Sequence, residues 1–148
     1  NKFKAIVAGP LINSESKEVL DNLLDKVSEV EYLGPVYGAD KENYFKKIDC
    51  FLFNSRYVNE AEPLVLYEAA ECGAKVYTSR RGCMESVSES LKGVSFDENE
   101  TADIVADKIV SDMSSGEFSS LRKNGRYIAF SELVLNNRKA LDSLIKEF

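Results

Sequence analysis

Short apolar runs alternate with stretches of helical periodicity along the first two thirds of the chain, and helical periodicity alone fills the last third. Phe3-Lys4-Ala5-Ile6-Val7-Ala8 is an apolar run ending in Gly9-Pro10, which predicts a buried strand and a turn. Residues 14–27 place Val19, Leu20, Leu23, Leu24 and Val27 at helical spacing, with Ser14 or Ser16 able to cap. Val30-Glu31-Tyr32-Leu33 predicts a second strand that opens onto Gly34-Pro35-Val36-Tyr37-Gly38, a glycine-bounded loop. Asp40 can cap a short helix through Phe45 and Ile48.

Asp49-Cys50-Phe51-Leu52-Phe53-Asn54 is apolar without alternation, as expected of a strand covered on both faces. A loop and short helix follow, then a fourth strand at Lys75-Val76-Tyr77-Thr78. Arg80-Arg81-Gly82 reads as a loop, Met84 to Leu91 as a helix, and Gly93-Val94-Ser95-Phe96 as a brief fifth strand. Beyond Thr101 the pattern is helical: Ile104, Val105, Ile109 and Val110, then residues 121–130, then residues 133–145. Strands alternating with helices imply an α/β, Rossmann-like parallel sheet with helices on both faces. Ligands of such sheets sit at the carboxyl ends of the strands. Here those ends are Gly9-Pro10, residues 34–38, residues 54–62 and residues 79–82.

The stretch from Asn59 to Tyr77 is a carboxylate-bearing loop, a short helix and a buried strand. Pro63 suits the first helical turn, where a missing N–H costs nothing, and Gly73 suits the position after the last turn, where φ is often positive. Glu60 and Glu68 flank the start of this helix with seven residues between them. On spacing alone, Glu60, Glu62, Glu68 and Glu71 are equally the solvated face of a short helix.

Composition narrows the chemistry. The 148 residues fit one compact domain with its own core, and 44% apolar with 30% charged residues is ordinary for a globular protein. No apolar run approaches membrane-spanning length and no signal-peptide pattern is present, from which a cytoplasmic location is expected. A net charge of -6 argues against a general nucleic-acid binder. Cys50, Cys72 and Cys83 lack metal-site spacing and read as reduced, mostly buried thiols. With no histidine, chemistry rests on carboxylates, backbone amides, Lys or Arg, and no metal is expected. The first residue is Asn1, and a strand-like run begins at once, as in a piece of a longer chain.

Glu60, Pro63-Leu64-Val65-Leu66, Glu68-Ala69-Ala70 and Cys72-Gly73 stand in the order of a motif of retaining nucleotide-sugar glycosyltransferases with the two-domain GT-B fold. The chain resembles family 4 of these enzymes (the group 1 glycosyltransferases). The resemblance extends to Val7-Ala8-Gly9, Tyr32-Leu33-Gly34-Pro35-Val36, Asn54-Ser55 and Gly82-Cys83-Met84-Glu85, covering roughly residues 3–96 in good order. It implies the carboxyl-terminal, donor-binding half of such an enzyme, with the acceptor-binding amino-terminal domain outside residues 1–148. Peripheral membrane association, if present in the parent, would run through that domain.

The resemblance further implies that Glu60 faces the donor sugar and Glu68 grips the ribose hydroxyls of a nucleotide diphosphate sugar, each carboxylate accepting from adjacent hydroxyls. Between them, the amides of Ala61 to Val65, including Glu62 and Leu64 around Pro63, open a helix suited to a diphosphate. Gly9, Val36 and Tyr37 lie in loops implied to meet the base or line the cleft, Arg80 and Arg81 are candidate phosphate partners, and Glu85 matches a position near the cleft. Three residues depart from the family's pattern: Glu62 stands where Phe is usual, Glu71 where a small residue is usual, and Lys75 where Pro is usual. A basic pair from the domain's first strand–loop–helix has no counterpart. The competing readings are a non-catalytic Rossmann-like assembly module and a flavodoxin-like response domain, though Ala8-Gly9-Pro10 lacks the acids of the latter.

Overall fold

The computed structural model describes residues 3–57 and 62–146, which form two compact units, residues 1–41 and 42–148. The first contains β1 (Ala5–Val7), α1 (Ser14–Lys26) and β2 (Val30–Tyr32). β1 and β2 pair in parallel with Ala5 opposite Val30. The cap of α1 is Asn13 rather than either serine: its Oδ1 accepts from the Ser16 N–H at 2.8 Å and the Ser16 hydroxyl at 2.7 Å. Asn13 stands just outside the helix in extended conformation, so its amide oxygen reaches the open donors that a serine inside the first turn cannot. Of the apolar positions on α1, Leu20 is buried, whereas Val19 and Leu23 stay exposed.

Helix α2 (Gly38–Lys47) starts in the first unit and ends in the second. Gly38, with φ of 55°, begins it, so Asp40 lies inside the first turn, where its charge favours the helix dipole, rather than at the cap.

The second unit holds β3 (Cys50–Phe53), α3 (Leu64–Glu71), β4 (Lys75–Ser79), α4 (Met84–Ser90), β5 (Val94–Phe96), α5 (Ala102–Ser114) and α6 (Ser120–Lys146). Its sheet runs β3-β4-β5, all parallel, with Cys50 opposite Lys75 and Tyr77 opposite Val94. β4 is central, and its two-residue period sends alternate side chains into two cores. Val76 joins Phe45, Leu66, Ala69, Ala70, Met84 and Val87, while Tyr77 joins Phe96 and Val105. Helices thus cover both faces of this sheet, which is the α/β arrangement the alternating pattern predicts.

Gly73 ends α3 in the left-handed region, with φ of 78°. A Cβ there would lie 2.5 Å from the carbonyl oxygen of Lys123 on α6, so the residue serves both a turn and a close backbone approach. The two terminal helical segments at 121–130 and 133–145 are one helix. Ser131 between them returns its hydroxyl to the Tyr127 carbonyl at 3.0 Å and interrupts nothing. The three cysteines are free thiols but only half-buried. Burial, and then the nearby Asp112 and Asp49 carboxylates, push the Cys50 thiol up to about 12.

Candidate functional site

In the second unit the carboxyl ends of β3, β4 and β5 are joined by polar side chains. The Thr78 hydroxyl donates to the Phe53 carbonyl at 2.9 Å, fixing the end of β3 against β4. Arg81 donates from Nη2 to Glu98 at 2.6 Å and from Nη1 to the Arg56 carbonyl at 3.5 Å, so one guanidinium spans the loops after all three strands. Arg80, half-exposed, places Nε 3.0 Å from Glu85 Oε1 and 3.3 Å from Ser95 Oγ. The sequence reading holds both arginines available for phosphate, and the structure gives each a carboxylate partner. The Ser79 hydroxyl and the Arg81 Nε are buried and find no hydrogen-bond partner among the described residues.

Helix α3 follows β3, and its cap residue supplies no side-chain hydrogen bond. Pro63 is the N-cap residue, with φ of -75°, and makes no capping hydrogen bond. Its carbonyl accepts from the Leu66 N–H at 3.1 Å, and no acid stands in the first turn. The amides of Leu64 and Val65 have no acceptor inside the helix, so the positive end of its dipole is not offset from within. Leu64 is exposed, Val65 half-buried, and Pro63, Leu66, Ala69 and Ala70 are buried; the helix is held by packing rather than capping.

Glu68 lies in the second turn, half-buried. Glu62, one residue before the cap, is exposed and accepts the Tyr67 hydroxyl at 2.5 Å. Burial, and then this hydrogen bond, push the Tyr67 phenol up to about 12, so it stays a donor throughout the physiological range. Tyr67 is not among the residues the sequence singles out, because a Tyr that continues the apolar run Leu64-Val65-Leu66 reads as core and nothing in its spacing shows that the hydroxyl turns back to Glu62. Glu60 and Ala61 lie outside the described residues.

The structure therefore gathers Glu62, Pro63, Leu64, Val65 and Glu68 around one helix start, and Arg80 at the end of β4. Gly9, Val36 and Tyr37 belong to the first unit. Gly9 has φ of 141°, donates its N–H to the Gly34 carbonyl at 2.9 Å and accepts the Tyr32 hydroxyl at 2.7 Å, which ties the loops after β1 and β2. Tyr37 is exposed just before α2, and Val36 is half-buried. Among the described residues, no group of three or more His, Cys, Asp or Glu side chains is placed to hold a metal ion. No helix among them is long and apolar enough to cross a membrane.

Parallel strands with helices on both faces make an α/β domain of the GT-B glycosyltransferase fold, which solved structures similar to it share. HepE of Anabaena, solved in complex with UDP-glucose, superposes with a TM-score of 0.67 at 19% identity, over 97% of this chain and 41% of that one. AviGT4, a glycosyltransferase involved in avilamycin A biosynthesis, gives 0.55 at 22% identity, over 95% and 43%. Sucrose-phosphate synthase from Thermosynechococcus elongatus gives 0.66 at 16% identity, over 97% and 39%. The chain thus spans about two fifths of the length of these structures. No curated protein matches it significantly in sequence. The profile of the family described as "Glycosyl transferases group 1" matches residues 1–130, and the chain belongs to that family.

Proposed function

We infer that this chain is the donor-binding part of a retaining glycosyltransferase that moves a hexosyl group from a nucleotide diphosphate sugar to a hydroxyl. The observation that carries the reading is the uncapped start of α3, with Glu68 one turn on, inside the span that matches the family. In it, the Leu64 and Val65 amides and the helix dipole receive the diphosphate, and Glu68 accepts from the ribose hydroxyls. Glu60 and Ala61 complete the loop, with Glu60 on the sugar as the catalytic carboxylate. Gly9, Val36 and Tyr37 take the base side.

Stabilising the departing diphosphate by fixed donors supplies much of the rate, and the reading gives no role to a metal. The acceptor site belongs to an amino-terminal domain of the parent enzyme, which works in the cytoplasm. Alone, the chain binds nucleotide weakly and turns over nothing, because Arg80 and Arg81 are already engaged by Glu85 and Glu98.

Ligand-observed NMR with UDP and UDP-glucose tests this. Saturation transfer to both is expected, unchanged by EDTA, and reduced at least about fivefold by Glu68→Ala, which removes one charge-assisted hydrogen-bond acceptor. Equal transfer in the wild type and Glu68→Ala overturns the donor-site reading. It favours instead a non-catalytic assembly module, in which the arginine–carboxylate pairs are structural.

A further inference from the structure

Arg81 stands in the loop after β4 with its backbone fixed on both sides. Its N–H donates to the Ser79 carbonyl at 3.0 Å, and its carbonyl accepts at 2.9 Å from the N–H of Met84, a fully buried residue that opens α4. The side chain therefore starts from a rigid root between strand and helix. Its guanidinium reaches two different loops. Nη2 donates to Glu98 at 2.6 Å in the loop after β5, and Nη1 donates to the Arg56 carbonyl at 3.5 Å in the loop after β3.

The loop after β5 is braced from within. The Asn99 N–H donates to Asp97 Oδ1 at 2.8 Å, the Glu100 N–H donates to the Asp97 carbonyl at 3.0 Å, and Glu100 pairs with Lys108 of α5 at 2.6 Å. Glu98 is thus presented from an ordered turn. In the loop after β3, Thr78 holds the Phe53 carbonyl at the base and Arg81 holds the Arg56 carbonyl further on. At 3.5 Å the second bond is weak alone. The guanidinium is planar, with donors fixed relative to one another, so the short bond to Glu98 sets the direction of the long one.

We propose that Arg81 is a positioning residue that clasps the loop after β3 to the loop after β5, so that Glu98 controls the order of residues 54–57 through the guanidinium. The clasp stands on these contacts and is independent of the donor-site reading above. Both members of the Arg81–Glu98 pair are partly exposed, so the pair adds little to global stability and its loss shows as local loosening.

Limited trypsin digestion of the full chain, read by mass spectrometry, tests the clasp, because the peptide bond after Arg56 lies in the held loop and its cleavage follows the population of the opened loop. Cleavage there is expected to be about threefold faster in Arg81→Ala, which removes both contacts, and in Glu98→Ala, which changes only the other loop. Arg81→Lys should match them, since one ammonium keeps the ion pair but lacks the fork that reaches a second partner. Glu85→Ala, which removes the carboxylate beside Arg80, should leave the rate as in the wild type. Urea midpoints of Glu98→Ala and the wild type should coincide. Faster cleavage in only one of Arg81→Ala and Glu98→Ala, or in neither, overturns the clasp. An equal rise in Glu85→Ala, or a rise in Glu98→Ala matched by a fall in its urea midpoint, overturns it too, because the loosening would then be general.

Discussion

At the amino end of β4, Lys75 and Tyr77 meet Asp112 inside the unit; at its carboxyl end, Arg80 and Arg81 meet Glu85 and Glu98 near solvent. Lys75 Nζ, 11% exposed, lies 2.8 Å from Asp112 and 3.4 Å from Glu117, and the Tyr77 hydroxyl donates to the same Asp112 carboxylate. Arg126 of α6 adds bonds from Nε to the Gly73 carbonyl at 2.9 Å and from Nη1 to the Glu117 carbonyl at 2.8 Å. Burial pulls Asp112 up, but hydrogen bonds from Lys75 and Tyr77 outweigh it and hold the carboxyl below its ordinary value.

At the other end the Arg80–Glu85 pair is half-exposed on both sides; among the described residues each end leaves buried polar atoms without a hydrogen-bond partner, Ser79 Oγ and Arg81 Nε here and Arg126 Nη2 at the amino end. One end of the strand uses its charges to hold α5 and α6. The other pairs its charges nearer solvent, across the loops that follow the strands. Charged side chains of the same types pair inside the fold or near solvent according to which end of a parallel strand carries them.

The amino end should therefore respond to substitution far more than the carboxyl end. The largest loss is expected from Gly73→Ala, about 3 kcal/mol or more, because the new Cβ meets the Lys123 carbonyl and the backbone is left-handed. Urea denaturation measures it, and a loss below 1 kcal/mol, by the same scale, would show that α6 shifts freely and that this end is not rigid.

Next, Lys75→Met should cost about 1–3 kcal/mol by leaving the half-buried Asp112 and Glu117 carboxylates without their cation, whereas Arg80→Ala should stay within about 0.5 kcal/mol. Equal losses would erase the distinction between the two ends. The smallest effect concerns pH. Asp112 titrates below its unfolded value of 3.8, so the stability it adds is complete above that value and is lost as pH falls through the lower folded one. Asp112→Asn should flatten that part of the acid limb in thermal melts taken from pH 6 to pH 2, and an acid limb of unchanged slope would remove Asp112 from the network.

Most strand ends and the punctuation of α3 are legible in the sequence. The apolar run before Asn54 and the Pro63 to Gly73 frame depend on local sterics and periodicity, which a linear reading captures. Lys75 illustrates what is not. In sequence it is only a departure from the usual Pro; in the fold its N–H donates to the Asp49 carbonyl at 2.9 Å, a bond Pro cannot make, and its ammonium finds acids 37 and 42 positions away. Arg80 shows the same limit from the opposite side, since its Glu85 partner is near in sequence but their pairing depends on where α4 begins. The Tyr67 hydroxyl is a third case. The frame of α3 is legible, while the partners of the charged and polar side chains around it come from contacts no periodicity reports.

Lys123 of α6 donates to the Lys46 carbonyl at 3.0 Å and the Ile48 carbonyl at 2.5 Å, closing the end of α2 with a cation from 77 and 75 residues further on. That separation is also a delay. At roughly 5–20 residues per second on a ribosome, the start of β3 waits on the order of 4–15 seconds for the residue that caps the helix before it. During that interval β3, β4 and β5 can pair while the polar end of α2 is served by water. The nascent chain can therefore pair its central strands before the helix that closes the end of α2 is complete.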